Sequence, residues 1–111
     1  MLGAPHKIEK ADFSNIFSKG RFFHSPLLSL RILKEGHIPQ FAVIVSKKAI
    51  PTAVGRNSAR RRVYAVLERI IKRIEPVSGL ITIKTDLKKV SFTVLEKEVH
   101  TLFEKGGISL H

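Results

Sequence analysis

Between Val63 and Ile74 the apolar residues Val63, Val66, Leu67, Ile70, Ile71 and Ile74 follow one another at steps of 3, 1, 3, 1 and 3. An α-helix turns once in about 3.6 residues, so this spacing gathers all six side chains into one stripe. Such a stripe needs an apolar surface to lie against. The segment upstream supplies one: Phe41-Ala42-Val43-Ile44-Val45 is a continuous apolar run of strand length, and its lack of alternation predicts a central strand covered on both faces. Together the two segments demand a sheet with a helix laid across it. A chain of 111 residues with 43% hydrophobic content has material for one such core and not for two.

The remaining patterns fill in the order of elements. Lys10 to Lys19 predicts a helix, with Phe13, Ile16 and Phe17 on one side and Gly20 where it stops. Phe22 to Glu35 reads as one long extended stretch, in which Leu28, Leu30 and Ile32 alternate with Ser29, Arg31 and Leu33. Glu35-Gly36-His37 is a turn, so this stretch and Phe41–Val45 are expected to form an antiparallel pair. The loop 48–55 leads into the main helix, Pro76 ends it, and Leu80 to Lys84 forms another strand. Ser91 is an N-cap for a last helix with Phe92, Leu95, Val99, Leu102 and Phe103 inward and Gly106-Gly107 at its end. The order helix, strand, strand, helix, strand, helix describes one α+β domain over residues 1–111, with 1–9 and 106–111 as flexible ends.

Several kinds of chemistry are excluded by composition. Without cysteine there is neither a disulfide framework nor a thiolate metal site. No apolar run approaches the roughly 18 residues needed to span a bilayer, and the first residues do not resemble an export signal, so a soluble cytoplasmic protein is expected. Asp12 and Asp86 are far apart, and His6, His24, His37, His100 and His111 are scattered without metal-ligand spacing. No residue is assigned a catalytic or metal-binding role.

Charge is where the chain departs most from an ordinary domain. Residues 47–73 hold nine of the 20 Lys and Arg but a single acid, Glu68, and so carry +8 of the total +11. Uncompensated like charges oppose compaction unless a polyanion neutralises them, which points to nucleic acid. On a helical projection Asn57, Arg61, Tyr64 and Glu68 share one exposed flank, with Arg60 between that flank and the core edge. Arg62, Arg69 and Arg73 form the other flank. A solvated basic face is the bland alternative, weakened because Arg60 and Arg61 have no acid four residues away on either side. Arg56 and Asn57 fall near the expected helix start, where free N–H groups favour an anion. Ser46, Lys47 and Lys48 leave the apolar strand on the other side of a short loop. Phe13 and Phe17 are either core or the lining of a groove beside Ser29 and Arg31 on which unpaired bases stack.

These blocks resemble a specific family. Ser46-Lys47-Lys48, then Ala53-Val54-Gly55-Arg56-Asn57, then Arg60-Arg61 on a helix is similar to the protein subunits of bacterial ribonuclease P. Asp12-Phe13, Ile16-Phe17 and Gly20 resemble that family's opening helix, and the order of elements agrees over residues 7–105. The resemblance implies a two-layer α/β sandwich of the ribosomal protein S5 domain 2-like type, with a left-handed βαβ crossover where general rules favour the right-handed form. It implies that a partner RNA, dependent on Mg2+, cleaves the 5′ leader from precursor tRNA, while the protein binds no cofactor of its own and neither membrane nor DNA. It assigns Arg56, Asn57, Arg60 and Arg61, with Ser46, Lys47 and Lys48, to the catalytic RNA, and Phe13 and Phe17 to a leader-binding cleft. Ser58 and Tyr64 stand where the family motif commonly has arginine, so the RNA contact is expected to be either thinner or shifted toward Arg62, with a charge lost at Ser58 and an ion pair exchanged for stacking at Tyr64. The competing class is a structural RNA-binding protein of ribosomal type with no processing role.

Overall fold

The structure, a computed structural model, describes residues 6–8 and 13–108. Strands β1 (Arg21–His24), β2 (Leu28–Leu33), β3 (Gln40–Val45) and β4 (Ser78–Ile83) form one sheet in the order β1-β2-β4-β3. The β1–β2 and β2–β4 pairs are antiparallel, and β3–β4 is parallel. Helices α2 (Ala53–Ile70) and α3 (Phe92–Lys105) cover one face of the sheet, and α1 (Phe13–Lys19) covers part of the other. A 3-10 turn, Ile71–Arg73, prolongs α2.

All six residues of the helical stripe are buried, against Phe41, Val43, Val45, Ile81 and Ile83 of the sheet. Each such side chain contributes about 1.5–3 kcal/mol by leaving water. Thr52 starts α2, its Oγ1 accepting from the Gly55 N–H at 3.1 Å, and Ser91 starts α3 in the same way with Val94 at 3.2 Å. On the opposite face Ile16, Ala42 and Leu80 make a smaller cluster joined by Ile8, Phe13 and Ile44. The first helix runs from Phe13; the expected start at Lys10 lies outside the described residues, as do 1–5, 9 and 109–111. At the two ends that are described, Ile8 donates to the Phe41 carbonyl at 3.3 Å and Ile108 is buried.

Three expectations about the sheet need correction. The stretch from Phe22 to Glu35 is two strands, because the chain turns at Ser25-Pro26-Leu27. There the Ser25 N–H donates to the Leu28 carbonyl at 2.8 Å, and Glu98 of α3 accepts from Ser25 Oγ and the Leu27 N–H. Proline has no N–H to give a ladder, and the Ser-Pro dipeptide was the overlooked signal. The pair β2–β3 does not form either, since β4 lies between them. Joining β3 and β4 in parallel requires a crossover, which α2 provides while packing its stripe against β3 and into the core that Ile81 and Ile83 of β4 share. Finally, β3 is an edge strand rather than a central one. Its two faces are covered as expected, and its outer edge is occupied by Lys7-Ile8 at Phe41 and by the Tyr64 hydroxyl, which accepts from the Val43 N–H at 3.2 Å. Occupied backbone groups leave little for a second chain to pair with.

Candidate nucleic-acid interface

Because Thr52 is the cap, α2 begins three residues before Arg56, and the Arg56 N–H already makes an intrahelical bond to the Thr52 carbonyl at 3.0 Å. Arg56 and Asn57 therefore do not sit at the free N–H groups of the helix end, as the sequence suggested. The Arg56 guanidinium instead donates through Nη1 to the carbonyls of Ile50 and Pro51, at 3.0 and 2.9 Å, pinning the loop that enters the helix. Arg62 has a similar occupation: its two terminal nitrogens donate to the carbonyls of Leu87 and Val90, closing the β4–α3 loop over α2. Arg62 is thus committed to the fold, not shifted outward toward a ligand.

Asn57, Arg60, Arg61 and Tyr64 do come together, lining a concavity of about 500 Å³. Arg60 donates to Asn57 Oδ1, and Arg61 is exposed with no hydrogen-bond or ion-pair partner among the described residues. The projection that placed Tyr64 outward as a stacking ring is corrected by its burial. Only 8% of Tyr64 is exposed, because its hydroxyl is drawn onto β3. Lys47 and Lys48 are exposed beyond β3, and Ser46 Oγ accepts from the Ala49 N–H at 3.1 Å, shaping that loop. The ion pairs Lys34–Glu75 and Arg69–Glu96 lie elsewhere, so the exposed cations at the start of α2 keep their field.

The second face of the sheet carries the other predicted group. Alternation along β2 puts Ser29 and Arg31 on the side where α1 packs, away from Leu28, Leu30 and Ile32. Phe13 is half-buried against the Ile16 cluster, whereas Phe17 is 47% exposed. Arg31 donates to the Phe17 carbonyl at 3.5 Å and places its guanidinium 5.2 Å from the Phe17 ring centre. Ser29 is buried. Two neighbours on this face were missed: Phe22 pairs with Arg31 and His24 with Ser29 across the β1–β2 ladder. Their place follows from the β1–β2 register, which the reading of residues 22–35 as a single strand hid, and adjacent phenylalanines gave no alternation to reveal it.

The fold and this surface define a class: a single-domain, strongly basic α+β protein with an arginine-bearing helix and a half-covered sheet face, suited to RNA. The family model for ribonuclease P matches residues 6–107. The chain belongs to the ribonuclease P protein family and is a subunit of the endoribonuclease that matures the 5′ ends of tRNA. The family implies partnership with the RNA of ribonuclease P. A ribonuclease P protein component of Synechococcus elongatus is 36% identical over 89 residues, covering 74% of this chain and 73% of its own. Another from Pseudanabaena is 24% identical over 102 residues, covering 89% and 88%. Among solved structures, the ribonuclease P protein of Staphylococcus aureus has a TM-score of 0.80 at 20% identity, over 98% of this chain and 95% of its own. That of Thermotoga maritima, in complex with 1-(4-fluorophenyl)-2-thiourea, has a TM-score of 0.76 at 20% identity, over 85% and 92%. These two likenesses establish the shared fold.

Proposed function

We propose that the two surfaces divide the work of the subunit, α2 gripping the catalytic RNA and the open sheet face holding the 5′ leader of precursor tRNA. On α2 the grip falls to Asn57, Arg60 and Arg61, with the exposed Lys47 and Lys48 of the loop after β3 as further phosphate contacts, while Arg56 and Arg62 hold the loops that shape the surface. Guanidinium groups donate paired hydrogen bonds to phosphate, and their approach releases condensed counterions, so affinity is gained from entropy and is lost with added salt. In the cleft, Phe17 offers a ring face to an unpaired base and Arg31 supplies charge, with Phe13 and Ser29 forming the floor.

One observation carries this division: neither α1 nor any of the four strands contains an Asp or Glu, so these elements put no carboxylate on the half-open face with its exposed Phe17 and its Arg31. Retaining the leader there favours precursor over mature tRNA, which lacks it. The bond-breaking step is left to the RNA, and Mg2+ belongs with that RNA. No helix among the described residues is long and apolar enough to cross a membrane, and a cytoplasmic site of action accords with the proposed substrates.

The test is reconstitution with a bacterial ribonuclease P RNA at low Mg2+. The protein is expected to restore leader removal and to tighten binding of precursor more than of mature tRNA. Equal tightening of both would leave a merely architectural RNA binder.

A further inference from the structure

Phe17, Arg31, Phe22 and His24 form a continuous ladder from α1 to the outermost strand. The Arg31 guanidinium lies between two rings, 5.2 Å from the centre of Phe17 and 4.8 Å from that of Phe22. Phe22 in turn stacks on His24, with 6.0 Å between ring centres and 20° between planes. Strand register sets Phe22 opposite Arg31 and His24 opposite Ser29, so all four side chains share the face of the cleft. Since β1 ends the sheet, the ladder runs from the shelter of α1 to an open rim.

Packing does not account for the outer half of this ladder. Phe22 is 50% exposed and His24 is exposed, although both belong to a strand whose other face offers Phe23 to the core. At the rim Lys84 donates to the Ser25 carbonyl at 2.8 Å and Lys105 to the His24 carbonyl at 3.4 Å, so these two ammonium groups are partly committed to the fold, and the Glu98 carboxylate of α3 sits at the same turn on Ser25 and Leu27. Exposed rings in series, flanked by ammonium groups and free of carboxylates in α1 and all four strands, match what a single-stranded nucleic acid presents, namely bases in series along a phosphate chain.

We propose that Phe22 and His24 extend the cleft across β1 and stack additional unpaired nucleotides, so that affinity rises with leader length beyond the part held at Phe17 and Arg31. This rests on the reading of the sheet face as the leader site.

The experiment uses the assembled holoenzyme and precursor tRNAs that differ only in leader length, with the cleavage site blocked by a 2′-deoxy sugar. Phe22→Ala is expected to weaken binding of long-leader precursors by about 5-fold or more while leaving short-leader precursors unchanged. Phe22→Trp should retain the length dependence, and His24→Ala should lower affinity for the longest leaders alone. Thermal melting of each variant checks the fold. Equal loss at every length would make Phe22 a prop for Arg31, and no loss would make the outer ladder inert; either overturns the proposal. Phe17→Ala separates this from the underlying reading. If it weakens precursor binding while Phe22→Ala does not, only the extension fails. If Phe17→Ala leaves the preference for precursor over mature tRNA intact, the leader site itself is elsewhere.

Discussion

Replacing Tyr64 by Phe removes one oxygen and isolates what that oxygen does. The ring is 8% exposed and stays in place, whereas the Val43 N–H loses its partner at 3.2 Å. That N–H lies on the outer edge of β3, beneath a buried side chain, so water does not readily replace the hydroxyl. An intramolecular hydrogen bond is worth about 0.5–1.5 kcal/mol net, and stranding its buried donor costs about 1–3 kcal/mol. A loss of about 1–2 kcal/mol in a domain of this size lowers Tm by roughly 4–8 °C. Urea unfolding followed by circular dichroism should show a lower midpoint with an unchanged slope, and affinity for the RNA subunit at fixed salt should be unaltered in the folded protein. If the midpoint stays put while RNA affinity falls, the hydroxyl faces RNA and the account of Tyr64 as an edge lock is wrong.

Arg62→Ala should destabilise by about 2 kcal/mol or more, because the Leu87 and Val90 carbonyls lose charge-assisted partners; a melt as sharp and as high as that of the parent would contradict this. By contrast, Arg60→Ala with Arg61→Ala should leave the melt nearly unchanged and weaken assembly with the RNA, with a log–log salt slope shallower by roughly 1–2. An unchanged slope would show that neither arginine meets a phosphate. Gly79→Ala places a methyl 2.6 Å from the Phe41 ring, which is stacked on Phe103, and is expected to cost about 1–3 kcal/mol in chemical denaturation. A neutral result would mean that the ring pair can slide.

Patterns whose causes are local were legible in residue order. The stripe from Val63 to Ile74 is buried, and Ser91 caps α3, because contacts at three and four residues decide both. The surplus of charge in residues 47–73 was visible in the same way, and so was a helical flank holding Asn57, Arg60 and Arg61. Thr52 was read as loop and proved to be the cap of α2, which moved Arg56 and Asn57 off the helix end.

What residue order left open was pairing. Nothing in Leu28–Leu33 or Phe41–Val45 says that β4, from far along the chain, comes between them. The antiparallel β2–β4 and parallel β3–β4 ladders, between segments far apart in the chain, set that order. The arginines divide for the same reason. Arg56 and Arg62 look like Arg60 and Arg61 in the sequence, yet they differ in which carbonyls the folded loops bring within reach. Composition therefore determined that this chain must meet a polyanion. Only the tertiary structure decided which charges are left over to do so, since a donor is spent or spared by neighbours distant in sequence.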